Sequence, residues 1–232
     1  MKIKILSFCL ATVLFGSVNL NAQNAQIRAG INFANVSVTD NGRVDDAKSL
    51  TSFHVGVVGD VPLGSTFSFQ PGILFTGKGT KTQSGDPSGG GSWYKAVTNP
   101  YYLEVPANLV FKAPIGTGTR FFAGAGPYLA VGIGGKNKVE GRTVLGTSFE
   151  NETDIEFSDD DPTTLSEEEG AGFGILRRFD YGLNGTAGIE GKSIVLGVNY
   201  GYGLAKLQSG ANNSADNNNK HRVWSVTVGF KF

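Results

Sequence analysis

The chain has 232 residues, with 20 Lys and Arg balanced by 20 Asp and Glu, and it contains 34 glycines. An even charge without a basic face excludes a nucleic-acid partner. The single cysteine, Cys9, excludes a disulfide framework, a thiol nucleophile and a cysteine metal site anywhere beyond the first residues.

Residues 1–22 read as a signal peptide: Lys2 and Lys4 form a positive start, Ile5 to Val18 an apolar core, and Leu20-Asn21-Ala22 a small-residue cleavage point. Cys9 follows Leu6-Ser7-Phe8, which does not resemble a lipoprotein box, so no lipid anchor is expected. Residues 23–232, about 210 in number, fit one domain on length. Setting aside Lys2 and Lys4 leaves that domain with two more acids than bases. Its glycine content far exceeds the usual ~7%. The glycines are interleaved with apolar alternation, which disordered chains lack. No later stretch approaches 18 consecutive apolar residues, so no transmembrane helix is expected.

Eight segments with period-two alternation follow, the signal of half-buried strands. AQIRAGINFAN sets Ile27, Ala29, Ile31 and Phe33 opposite Arg28, Gly30 and Asn32. SFHVGVVGDV sets Phe53, Val55, Val57 and Val61 opposite His54, Gly56 and Asp60. TFSFQPGILFTGK sets Phe67, Phe69, Ile73 and Phe75 opposite Ser68, Gln70, Gly72 and Lys78. YYLEVPANLVFK sets Tyr101, Leu103, Val105, Leu109 and Phe111 opposite Tyr102, Glu104, Asn108 and Lys112.

In RFFAGAGPYLAVGIGG, Phe121, Ala123, Leu129, Val131 and Ile133 oppose Phe122, Gly124, Gly126 and Tyr128. FDYGLNGTAGIE sets Phe179, Tyr181, Leu183, Ala187 and Ile189 against Asp180, Asn184, Thr186 and Glu190. IVLGVNYGYGLA sets Ile194, Leu196, Val198, Tyr200 and Tyr202 against Gly197, Asn199, Gly201 and Gly203. The terminal VWSVTVGFKF carries Trp224, Val226, Val228, Phe230 and Phe232 on one face. It is expected to pair with the first strand and close a ring, leaving no edge in lipid.

The connections alternate. Those after strands two, four and six are short; those after one, three, five and seven are long and polar, at roughly 37–51, 79–99, 136–178 and 206–221. Short turns on one rim and long loops on the other are the pattern of outer-membrane barrels, whose strands need ~9–11 tilted residues to span. Aromatics on the apolar face gather at two heights. Phe67, Phe69, Phe111, Phe121, Phe230 and Phe232 lie near the short turns; Phe33, Phe53, Phe75, Tyr101, Phe179, Tyr202 and Trp224 lie near the long loops. Two girdles around an aliphatic band match a membrane's two interfaces.

The fold expected is therefore all-β: an eight-stranded antiparallel up-and-down transmembrane β-barrel in the cell outer membrane. Its start and short turns face the periplasm. A soluble lipocalin-type barrel is the alternative. Its solvated outer face would have to be the largely uncharged Gly, Ser, Thr and Asn side of these strands. Pro71, Pro106 and Pro127 fall inside strands, where a missing N–H breaks the ladder. Bulges or slippage are expected near Gly72, Pro106 and Gly126.

YLEVPANLVFK, FFAGAGPYLAVGIGG, FDYGLNGTAGIE and the terminal VTVGFKF resemble the PorT-like outer-membrane β-barrel family of Bacteroidota. IRAGINFAN and FSFQPGILFTGKG are similar to that family's first and third strands. The resemblance covers nearly all of residues 23–232 outside the loops. It implies an eight-stranded outer-membrane barrel, and its name comes from a member linked to secretion and maturation of surface proteases. It defines no catalytic residue.

Candidate chemistry is sparse. The loop from Glu150 to Glu169 is rich in acids and has no Lys or Arg, and Asp154, Glu156, Asp159, Asp160 and Asp161 are candidate oxygen ligands for Ca²⁺. The spacing of a calcium-binding loop with a central glycine is absent, and a solvated outer loop is the plainer reading. Arg28, Glu104, Asp180, Glu190 and Lys231 point to the polar face, where buried charges are normally paired. An internal salt-bridge network is expected, filling a lumen too narrow for an aqueous channel.

His54 and His221 are the only histidines and offer no two-histidine site on one strand. GIGGKNK lacks the Ser or Thr after Lys of a phosphate loop. Phe230 and Phe232 resemble the terminal signal read by barrel-assembly machinery. No enzyme activity, metal or cofactor is expected. The first reading of function is a surface protein acting through its outer loops, as a secretion or assembly accessory. The alternatives are a small-solute porin and a barrel enzyme using His221. Expected partners are outer-membrane lipids and lipopolysaccharide, the assembly machinery and secretion partners.

Overall fold

The computed structural model describes residues 25–37, 47–89, 91–158, 175–205, 207 and 220–232. The expected signal peptide and the acids Asp159, Asp160 and Asp161 lie outside the described residues. Eight strands form the wall: β1 (Ala25–Ser37), β2 (Leu50–Gly59), β3 (Phe67–Gly77), β4 (Trp93–Gly116), β5 (Thr119–Arg142), β6 (Phe179–Glu190), β7 (Ile194–Gly203) and β8 (Lys220–Lys231). Each pairs antiparallel with its neighbour in sequence, and β8 pairs with β1 from Gln26↔Lys231 to Ser37↔Lys220. The ring is closed, so the wall leaves no unpaired edge.

Burial runs opposite to that of a water-soluble protein. Leu129 is 67% exposed and Phe179 65%, whereas Gln26, Gln70 and Glu190 are each 1% exposed. Along β6 the odd positions Phe179, Tyr181, Leu183 and Ile189 face outward, and Asp180, Thr186 and Glu190 face the lumen. The alternation in the sequence is thus the parity of the pleat, with the apolar face on the outside.

Aromatic rings collect at both rims of the outer wall. Near the long loops, Phe53 lies 5.7 Å from Phe75, and Phe75 stacks on Tyr101 at 5.3 Å. Tyr200 lies 4.7 Å from Trp224, and the Arg222 guanidinium sits 3.7 Å over Tyr202. Near the short turns, Phe67 meets Phe111 edge to face at 5.7 Å. Amphipathic or quadrupolar rings are favoured where hydrocarbon gives way to headgroups.

Two expectations need correction. Segments 79–99 and 136–178, read as long loops, contain sheet. β4 and β5 each run for 24 residues, about twice a membrane crossing. Their upper halves pair from Pro100↔Gly135 to Trp93↔Arg142. Thr80–Ser84 joins β4 on one side and Ser148–Asp154 joins β5 on the other, with Ala47–Lys48 beyond Thr80–Ser84. This outer sheet has no alternation of large apolar residues: ion pairs such as Lys95–Glu140 and Lys138–Glu150 lace one face, and small or polar residues such as Ala96 and Asn137 are buried on the other.

The prolines also behave differently. Register runs unchanged past Pro71, Pro106 and Pro127, which break individual ladder bonds without adding a residue. The irregularities lie instead at Tyr101/Tyr102, where Tyr101 pairs Gly134 and Tyr102 pairs Gly132, and at Pro114/Gly116. The first leaves Ile133 as an extra residue where the barrel passes into the outer sheet.

Candidate functional site: the filled lumen, its cap and the outer sheet

Three tiers of polar side chains fill the lumen. Nearest the long loops, Lys78 follows β3 and crosses the interior, its Nζ 2.7 Å from Glu104 Oε2 on β4 and 2.8 Å from Asp180 Oδ2 on β6. The Tyr128 hydroxyl donates to the same Asp180 oxygen at 3.1 Å. The Lys78 ammonium also lies 3.9 Å from the Tyr128 ring centre. Two carboxylates around one ammonium, with a cation–π contact beside it, compensate the desolvation of all three charges.

The middle tier is neutral and continuous. His54 Nδ1 donates to Asn32 Oδ1 at 2.7 Å, which fixes the tautomer, so Nε2 accepts from the Thr227 hydroxyl at 3.0 Å. Asn199 Nδ2 donates to Thr227 Oγ1 at 2.6 Å, and the Thr186 hydroxyl donates to Asn199 Oδ1 at 2.7 Å. Asn184 Nδ2 reaches Glu104 Oε1 at 3.1 Å and joins this tier to the first.

Near the short turns, Lys112 on β4 binds Asp60 and, at 3.1 Å, Glu190 on β6. Glu190 also receives Arg120 at 2.8 Å and Lys231 at 2.8 Å. Arg28 bonds Gln26 at 3.0 Å and Gln70 at 2.9 Å, and Gln70 in turn donates to Asp60 at 3.3 Å. Between the tiers a cavity of about 70 Å³ remains, bordered by His54, Tyr128 and Asn199.

Segments that follow the outer sheet cover the long-loop mouth. Glu156–Ser158 pairs in parallel with Ile175–Arg177, and Ile155, Leu176 and Leu207 pack together with Val36 beside them. Phe157 stands edge-on to Tyr102 at 5.7 Å. Gly132 makes room for that ring: a Cβ there would lie 2.1 Å from Phe157 Cε1.

Of the residues singled out from sequence, Glu104 and Asp180 meet through Lys78, and Glu190 meets Lys231 directly. Arg28 is buried but makes hydrogen bonds to glutamines, with no ion pair within 4 Å among the described residues. Asp154 and Glu156 are exposed, and among the described residues no three His, Cys, Asp or Glu side chains are grouped to hold a metal. His221 is buried, with its Nε2 3.4 Å from the Tyr102 hydroxyl. Phe230 and Phe232 lie exposed on the outer wall at the short-turn end.

Sequence reasoning placed Asp60, Lys78 and Lys112 on the polar face but left them out of the network. The signal was available. Three inward acids on β4 and β6 faced only Arg28 and Lys231, so at least one cation was missing.

An apolar outer wall around a lumen of ion pairs is stable only with hydrocarbon outside it. The chain is an integral outer-membrane β-barrel. The model of the family described as outer membrane protein beta-barrel domain matches residues 21–209, and the chain belongs to that family. No curated protein matches it.

Among solved structures the chain is similar to the attachment invasion locus protein Ail of Yersinia pestis. Identity is 15%, covering 90% of this chain and 98% of that one, with a TM-score of 0.39. It is also similar to Neisserial surface protein A, at 13% identity over 90% and 97% of the two chains, TM-score 0.40. OprG of Pseudomonas aeruginosa shows 12% identity over 90% and 97%, TM-score 0.41.

Proposed function

We propose that this protein is a non-conducting surface barrel that works through the sheet and segments at its long-loop rim, with the short turns in the periplasm. The observation that carries this reading is the lumen itself. Lys78, Glu104 and Asp180 bridge it at one level, and Lys112, Asp60 and Glu190 bridge it at another. A solute passing through would have to break both bridges. Removing a partner from a buried ion pair costs about 3–5 kcal/mol.

The outer sheet supports the other half of the reading. Its last strand, Ser148–Asp154, is exposed at every residue and, among the described residues, pairs only on its β5 side. A secretion or assembly accessory of the PorT-like kind is the role that the sequence resemblance supports, with a protein or lipopolysaccharide engaged at this rim.

Planar-bilayer recording of the purified barrel tests the proposal. No conductance steps are expected. Stable openings in the intact protein would replace this reading with a small-solute pore.

A further inference from the structure

The short-turn end of the lumen opens into a cavity of about 510 Å³, within the ~300–1,000 Å³ typical of small-molecule sites. Arg120, Lys192 and Lys231 line it together with Asp60 and Gln26. Lys112 and Arg28 stand immediately behind, tied to Asp60 directly and through Gln70.

The charges here do not balance. Asp60 and Glu190 face five cations: Arg28, Lys112, Arg120, Lys192 and Lys231. Both carboxylates are already engaged, Asp60 by Lys112 and Glu190 by Lys112, Arg120 and Lys231. An excess of three positive side-chain charges at the end of a low-dielectric tube favours a bound anion.

Three further features belong to residues that line the same space. Arg120 meets Glu190 through Nε, and its terminal nitrogens have no partner among the described residues. Lys192 makes no ion pair among them, and its stem lies along Gly118, with Cε 3.2 Å from where a Cβ on that residue would sit. Gly118 itself has φ +75, which suits glycine in this turn. Gln26 is 1% exposed, and its Nε2 donor is unpartnered.

We propose that this cavity binds a phosphate-bearing anion, either the headgroup of a lipid in the leaflet at that rim or a small phosphate ester. The free fork of Arg120 matches the paired oxygens of a phosphate. A phosphate monoester carries about −1.5 to −2 charge, closer to the local excess than one carboxylate; a lipid's phosphodiester carries only one negative charge and relies on the paired-oxygen match to Arg120. The volume leaves room for the organic group attached to it.

The test uses the whole barrel in zwitterionic micelles, with backbone amides followed by NMR. Inorganic phosphate and glycerol 3-phosphate are titrated separately against sodium chloride of equal ionic strength. Saturable shifts are expected at Gly118, Thr119, Arg120, Gly191 and Lys192, with none from chloride. Lys192→Gln, which removes no ion pair, should weaken the response about threefold, and adding Arg120→Gln about tenfold or more.

Nanodiscs identify the source. Shifts of the same amides when phosphatidylglycerol replaces phosphatidylcholine indicate a headgroup. Shifts only with glycerol 3-phosphate indicate a soluble ester. Either outcome supports the site. No saturation with any probe, an equal response to chloride, or unchanged affinity in both variants would overturn it. None of these readouts depends on which rim faces the cell surface.

Discussion

Lys78 and Asp180 stand 102 positions apart in sequence, yet their side chains meet at 2.8 Å across the lumen. β3, which Lys78 directly follows, and β6, which carries Asp180, do not pair with each other; β4 and β5 separate them in the ring. The bond is therefore a strut through the interior rather than a stitch between neighbours. Glu104, from β4, completes it at 2.7 Å.

Replacing Lys78 by Met should leave two buried carboxylates side by side without their cation. Loss of one partner from a buried ion pair costs about 3–5 kcal/mol. The urea midpoint and the temperature of the heat-induced gel shift should both fall. The triple variant Lys78→Met, Glu104→Gln, Asp180→Asn should recover most of the loss. A single variant as stable as the parent would show that the strut contributes nothing to stability.

Two glycines on β6 make a paired test of how crowded the lumen is. A Cβ at Gly182 would lie 2.2 Å from the Tyr202 carbonyl oxygen and 2.7 Å from Tyr128 Cε1, whereas one at Gly185 would meet nothing within 4 Å. The first is inward by pleat parity and the second outward. Gly182→Ala should cost about 1–3 kcal/mol of unfolding free energy, the usual range for overpacking. Gly185→Ala should leave stability within about 0.5 kcal/mol of the parent, as a substitution with nothing to disturb. Equal effects at both positions would contradict the inward packing of Tyr128.

The barrel was legible because each spanning strand touches hydrocarbon on one side and a crowded polar lumen on the other, so residues such as Phe179 and Asp180 had to alternate. Where that contrast ends, the signal ends too. Trp93–Pro100 and Gly135–Arg142 are held by ladder bonds and by Lys95 binding Glu140, and their buried face carries Ala96 and Asn137 rather than a run of large apolar side chains. Nothing in their hydropathy announces a strand. The lumen charges were half legible for a different reason. Parity gives the direction of a side chain, but the strand tilt that brings Lys78 level with Asp180 is a property of the closed ring.

The ion pairs of the outer sheet carry a pH dependence of definite sign. The Glu140 carboxyl is held below the ordinary glutamate value by hydrogen bonding to Lys95, and that of Glu152 by its hydrogen bond to Lys136. A carboxylate with a lowered folded pKa stabilises above its unfolded pKa, about 4.3, and loses that effect as pH falls through the folded value. Lys136–Glu152 is solvent-exposed and Lys95–Glu140 partly so, and both are salt-screened, so the effect is confined to the sheet. Carboxyl-carbon NMR titration should give midpoints for Glu140 and Glu152 below that of an ordinary glutamate. Lys136→Gln should return Glu152 toward the ordinary value and leave Glu140 lowered, since Lys95 still holds it. A Glu152 midpoint indifferent to Lys136 would show that the two do not pair in solution.

The orientation proposed for the barrel can be read in intact cells. The chain has one cysteine, Cys9, and Cys9→Ser gives a thiol-free background. Asn151 lies on the exposed Ser148–Asp154 strand, and Lys192 lies in the turn between β6 and β7. These positions mark opposite rims. A membrane-impermeant maleimide should label Asn151→Cys in intact cells and label Lys192→Cys only after the outer membrane is opened. The reverse pattern would put the short turns outside and move the proposed surface role to the other rim. Neither residue makes an ion pair among the described residues, so both thiols report position with little disturbance of the fold.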